Sequence, residues 1–101
     1  MFYTKTIEIY KKNMIVDEYG IVKEGEMSLL DIIKADVQPV GIQMNPTEYG
    51  ISEDVKYMIF APLNKHLSEE SYIGYEGQVY KIIKMEKWDN FIEFIVGKIN
   101  D

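Results

Sequence analysis

The chain has 101 residues, with 17 acidic side chains against 11 basic ones, a formal net charge of −6, and no cysteine. All 11 basic residues are lysines, and His66 is the lone histidine. These counts exclude a disulfide framework, a thiolate nucleophile and Cys-rich zinc sites, and they argue against a tight grip on nucleic acid, whose affinity rests on cationic contacts to phosphate.

Length and composition predict one domain over residues 1–101, with no low-complexity segment, fixed-period repeat or linker-like stretch to divide it. Neither a basic head followed by an apolar run nor a long uninterrupted apolar segment occurs, so a soluble, untargeted protein with no membrane partner is expected.

Residues 4–11 alternate, with Ile7 and Ile9 on one side and Thr6, Glu8 and Tyr10 on the other, the period of a half-buried strand. Lys12 and Asn13 interrupt that pattern. Met14-Ile15-Val16 and Tyr19-Gly20-Ile21-Val22 flank Asp17-Glu18, which suggests a short hairpin or a ragged continuation, and Lys23-Glu24-Gly25-Glu26 reads as a solvated turn.

Residues 27–40 admit two readings. Ser28-Leu29-Leu30-Asp31 fits a capping box opening a helix, whereas the β-branched Ile32, Ile33 and Val37 fit a strand that carries Leu29, Ile33, Ala35 and Val37 inward. Strand is expected over 34–40. Asn45-Pro46-Thr47-Glu48-Tyr49-Gly50 combines an N-cap, a proline suited to the first helical position and a glycine exit, and predicts one short helix.

Residues 55–61 return to strand behaviour up to Pro62, and 64–70 form a polar connection. Residues 72–75 and 78–87 read as a hairpin joined by Glu76-Gly77, with Gly77 supplying the positive φ of a tight turn. Trp88-Asp89-Asn90 makes another turn, and 91–99 a last strand apolar on both faces, which requires cover from the barrel itself or from another subunit. The sum is a mainly β fold, a small antiparallel β-barrel of about six or seven strands with one short helix.

No catalytic, cofactor-binding or metal-binding constellation emerges. His66 lies between Lys65 and Leu67 without an orienting partner in sequence, and is expected on a surface or interface. The acidic pairs Asp17-Glu18, Glu53-Asp54 and Glu69-Glu70 lack calcium-loop spacing, and no serine sits in a nucleophile-elbow context. The expectation is a protein that is not an enzyme and needs no cofactor. Eight tyrosines and Trp88 could stack on single-stranded nucleic acid, but such platforms work beside a cationic groove that this composition hardly supplies.

Ala35-Asp36-Val37-Gln38-Pro39, Glu48-Tyr49-Gly50-Ile51, the strand over 55–60, Tyr75-Glu76-Gly77-Gln78-Val79-Tyr80-Lys81-Ile82 and Lys87-Trp88-Asp89 follow one another in an order that resembles the minor capsid or head–tail connector proteins of tailed phages of Gram-positive hosts. The resemblance spans roughly residues 4–99. It implies a head-completion or stopper-like barrel in the virion neck, made in the host cytoplasm. Such a protein would form a ring with copies of itself between portal or adaptor and the tail terminator or other tail protein, with packaged double-stranded DNA passing nearby. It carries over no catalytic residue; Gly50 and Gly77 are expected as turns, Pro39 as a strand end, and Trp88 as a core or corner aromatic.

Contacts are expected from two polar insertions between strands, represented by Asn45, Thr47, Glu48 and Tyr49 in the first and Asn64, Lys65 and His66 in the second. Deleting 64–68 is expected to leave the fold intact and block assembly. The alternative is a small β-barrel module that binds a peptide or an oligonucleotide, with salt-sensitive affinity in the latter case.

Overall fold

The computed structural model describes residues 2–40 and 55–99. Six strands account for all the regular structure there: β1 (Lys5–Val16), β2 (Val22–Pro39), β3 (Val55–Pro62), β4 (Tyr72–Tyr75), β5 (Gln78–Lys87) and β6 (Phe91–Lys98). All pairings are antiparallel, and the order β1-β2-β3-β6-β5-β4 closes into a barrel where Glu8, Ile9 and Tyr10 of β1 meet Gly74, Ile73 and Tyr72 of β4. The mainly β barrel expected from the sequence is therefore present with six strands. The short helix expected at 45–50 lies outside the described residues, as do Asn45, Thr47, Glu48 and Tyr49.

Side-chain alternation along each strand fills the interior. Ile7 and Ile9 from β1, Ala35 and Val37 from β2, Ile59 and Ala61 from β3, and Ile73 from β4 are buried in one cluster with Ile92, Phe94 and Val96 from β6. A barrel this narrow has room only for its own side chains. Burying an apolar side chain of Ile or Phe size contributes about 1.5–3 kcal/mol.

Closure depends on a glycine. Gly74 lies opposite Glu8, and a Cβ there would collide with the Glu8 carboxylate and the Tyr10 ring. The absent side chain lets Tyr10 lie across the seam, where its hydroxyl donates to Glu8 Oε2 at 2.8 Å. That bond, followed by partial burial and the nearby carboxylate charge, raises the Tyr10 pKa above its ordinary value. At the β4–β5 turn, Glu76 (φ 49°) and Gly77 (φ 80°) both take positive φ, the backbone required of a two-residue hairpin.

β1 and β2 overturn several sequence expectations. Lys12 and Asn13 do not break the first strand, Lys23-Glu24-Gly25-Glu26 is not a turn, and Ser28-Leu29-Leu30-Asp31 opens no helix: β2 runs unbroken for 18 residues. Two one-residue bulges explain why periodicity misled. Ile9 pairs with Asp31 and Tyr10 with Leu29, leaving Leu30 as an extra residue in β2; Lys12 pairs with Met27 and Met14 with Glu24, leaving another at Gly25-Glu26. Each bulge inverts the alternation of what precedes it. Leu29 therefore points outward and is exposed, while Leu30 packs against the core.

β4 leaves β1 after Tyr10, and β3 pairs with β2 only over residues 36–39, so the far part of the β1–β2 hairpin stands clear of the barrel. The six residues of β1 beyond the seam span about 20 Å at ~3.3 Å per residue. The molecule measures 48 × 28 × 27 Å, its long axis exceeding the others by about that length.

Candidate functional site: the projecting hairpin

The projecting hairpin, hereafter the arm, is held by local chemistry in place of a core. At its tip Asp17 N–H donates to the Ile21 carbonyl at 3.0 Å, and the Asp17 carboxylate accepts from the backbone amides of Tyr19 and Ile21, each at 2.9 Å. Gly20 N–H donates to the Asp17 carbonyl at 3.0 Å, and Gly20 takes φ 79°. Asp at the first position of a turn and Gly in the left-handed position at its end favour this geometry. Half-way down, Asn13 Nδ2 donates to Ser28 Oγ at 2.6 Å. Beside it Ile15 lies over Gly25, where a Cβ would come within 2.8 Å of the Ile15 Cδ1 atom.

Register assigns the arm two unlike faces. Lys11, Asn13 and Ile15 share one with Lys23, Gly25 and Ser28; Tyr10, Lys12, Met14 and Val16 share the other with Leu29, Met27 and Val22. The second face continues the outside of the barrel through Ile32, which pairs with Glu8. It forms an apolar stripe facing solvent: Ile32 is 56% exposed, Leu29 50%, Met14 61%, Val22 55% and Val16 63%, and Tyr19 at the apex is 80% exposed. At the stripe's base the Lys12 ammonium lies 5.0 Å from the centroid of the Tyr72 ring. Scattered exposed aliphatics are ordinary, whereas a contiguous row of them marks a surface that another molecule covers.

The connection between β3 and β4 supports the arm's base. Leu67 is buried in the core cluster, and Ser71 is buried with its hydroxyl donating to the His66 carbonyl at 3.1 Å. Asn64 donates through Nδ2 to Asp31 Oδ2 at 2.8 Å and accepts from His66 N–H at 2.8 Å. The Asn64 bond, followed by the Ile32 amide and the His66 and Lys65 charges, lowers the Asp31 pKa. Of the three interface candidates in this connection, Asn64 is thus turned inward to tie the loop to β2, Lys65 is exposed, and half-buried His66 borders an open hollow with Lys11, Leu30 and Ser68. The expectation that 64–68 is dispensable for folding conflicts with this arrangement, because the segment carries Leu67 into the core and links β2 to the loop.

On the opposite wall, β5 and β6 present a different surface. Trp88 stacks on Phe91 with centroids 6.1 Å apart and planes 21° from parallel, and Phe91 meets Phe60 at 6.3 Å. Trp88 is a corner aromatic, half exposed, not a core one. The last strand is indeed apolar on both sides, with Ile95 facing outward between Met58 and Lys84 and yet only 4% exposed. Trp88 and Ile95 help line an open hollow of about 290 Å³, bordered by Glu86 and Glu93, which pair directly across the two strands. Lys84 lines the same hollow, so the wall carries both signs of charge beside the aromatic pair.

At the end of the barrel away from the arm's base, Tyr57 packs edge-to-face on Tyr75 and Tyr80, at 5.1 and 5.5 Å. Burial first, then neighbouring groups, Glu76 for Tyr75 and Tyr57 for Tyr80, raises both pKa values. Among the described residues no group of three or more His, Asp or Glu side chains converges as a metal site, and no helix is long and apolar enough to cross a membrane.

The short hairpin suggested about Asp17-Glu18 is present, with Val16 paired to Val22 across the turn; the length of the arm escaped the sequence reading. The two bulges in β2 concealed it, since they make one continuous ribbon look like three fragments.

No protein-family model matches the chain, and no curated protein matches it either. The class defined by fold and surface is a small closed β-barrel with a projecting, apolar-faced hairpin.

Proposed function

We propose that this protein is a structural component of a tailed phage or prophage virion, a head-completion protein of the stopper type that joins a ring in the neck between portal or adaptor and tail. The observation that carries the reading is the arm: a ribbon about 20 Å long whose outward face is a row of uncovered aliphatic side chains. A two-stranded ribbon is at best marginally stable alone in water, and leaving its half-exposed apolar side chains wet forgoes about 1–2 kcal/mol for each that a partner could bury. Such an element is explained by assembly. The resemblance of the ordered motifs to those of connector proteins suggests the setting for that assembly, and the −6 charge suits a conduit that lets a polyanion pass without holding it.

The test is to incubate the purified protein with rings of its cognate portal or adaptor and examine them by electron microscopy. The proposal expects an added ring of density on one end of the portal. A protein that remains monomeric and leaves the rings bare contradicts it.

A further inference from the structure

The arm meets the barrel at a narrow root. Among the described residues, no strand pairs with β1 beyond Tyr10 on its β4 side, and none pairs with β2 before Asp36 on its β3 side. At that root β2 carries the extra residue Leu30, between Asp31 opposite Ile9 and Leu29 opposite Tyr10. A bulge interrupts the ladder and lets its strand bend, and a two-stranded ribbon is marginal by itself. The root is therefore the natural hinge of the arm.

Two side-chain ties flank the bulge, one on each strand and one on each face. Asp31 shares the inward face of the buried Ile9; its Oδ2 accepts from Asn64 Nδ2 at 2.8 Å and its Oδ1 from the Ile32 amide at 2.9 Å. Asn64 is itself fixed, because its Oδ1 accepts from His66 N–H at 2.8 Å and the adjoining Leu67 is buried in the core cluster. This tie stands where β2 has no β3 neighbour. On the outward face, just past the bulge, the Lys12 ammonium lies 5.0 Å from the centroid of the Tyr72 ring, on a strand paired with both β1 and β5. A charge-assisted hydrogen bond on one face and a cation–π contact on the other oppose bending in either direction.

Resting on the reading of the arm as the element that assembles at the portal, we propose that these two ties are an aiming device. They hold the arm at the angle its partner receives, so that it docks without first being ordered. Preorganisation of this kind strengthens binding by removing the ordering cost at the moment of contact. Asp31, Asn64, Lys12 and Tyr72 are positioning residues that act through the arm, and none belongs to its apolar row.

The chain has no cysteine, so spin labels at Val16→Cys on the arm and Asp89→Cys on the barrel report the arm's angle without interference. The distance distribution between them should be narrow in the otherwise native chain. Combining Asp31→Ala with Lys12→Gln should broaden it towards that of a freely swinging ribbon while the melting temperature stays within a few degrees. Asp31→Asn keeps an acceptor for Asn64 and should keep the narrow distribution. Without labels, the Asp31→Ala, Lys12→Gln chain should need about tenfold more protein than the wild type to decorate portal rings. If that chain fails to fold, Asn64→Ala with Tyr72→Leu cuts the same ties from their barrel ends and is held to the same outcomes. A folded double variant whose distribution stays narrow, or one that broadens and yet decorates portals as readily as the wild type, overturns the proposal and leaves the virion reading standing. A wild type that leaves portals bare overturns the virion reading and, with it, the aiming role.

Discussion

Single residues determine whether the barrel closes and where its loops settle. Leu67 sits in a connection that reads as polar from its neighbours Asn64, Lys65, His66 and Ser68, yet it is buried in the core cluster. Its context in sequence gave no sign of this, because a single apolar residue in a loop has no period to reveal it. Leu67→Ala is expected to cost about 2–5 kcal/mol, the range for emptying a well-packed leucine site, and to lower the denaturant midpoint without changing the slope. A loss below ~1 kcal/mol would place Leu67 outside the core. The tyrosine cluster makes a second prediction. The native pKa values of Tyr75 and Tyr80 lie above the ordinary value of 10.0, so the native state holds these protons more tightly than the unfolded chain. The stability they contribute is complete below pH ~10 and is lost as the pH rises through the raised native values. Thermal melts across that range, read beside tyrosinate absorbance, should show the fall, and Tyr75→Phe should blunt it.

At the scale of elements, the chain was most legible where alternation is unbroken. The inward rows of β1 and β6, the Glu76-Gly77 turn and the strand ending at Pro62 all follow from period-two patterning and turn chemistry. β2 resisted because its two bulges shift the faces twice, sending Leu29 out and Leu30 in. Periodicity assumes an uninterrupted pleat, and neither bulge has a signature strong enough to correct it, although Gly25 marks one of them. The distinction matters for function, since the bulges bring Leu29, Met27 and Val22 onto the outward face with Met14 and Val16, while Ile15 lies on the other. Replacing residues 12–27 by an Asn-Gly turn between Lys11 and Ser28 removes the arm while sparing every member of the buried core cluster. The shortened chain is expected to keep its β-rich circular dichroism and to melt within a few degrees of the full-length protein. Deleting 64–68, in contrast, should unfold it or lower its melting point sharply. If the two deletions reversed in effect, the assignment of arm and support would be wrong.

At the scale of the whole molecule, the division of labour is spatial. The interior is filled by aliphatic side chains together with Phe94 and Tyr75. The two outer walls differ in character: one carries an apolar ribbon with Lys12 at its base, the other an aromatic corner edged by Lys84, Glu86 and Glu93. The candidate interface residues chosen from sequence lay in polar insertions because loops commonly carry contacts; of the described ones, Asn64 ties its loop to Asp31 of β2, while Lys65 is exposed and His66 half-buried. In the proposed neck ring a net charge of −6 on each copy disfavours a grip on DNA, so the purified protein should show little affinity for double-stranded DNA even at low salt.

The central claim is that the arm drives assembly at the portal. Its most direct test is electron microscopy of portal or adaptor rings incubated in parallel with the full-length chain and with the chain shortened at 12–27. The account predicts an added ring with the full-length chain and bare portals with the shortened one. Equal decoration by both chains, or by neither, would contradict it.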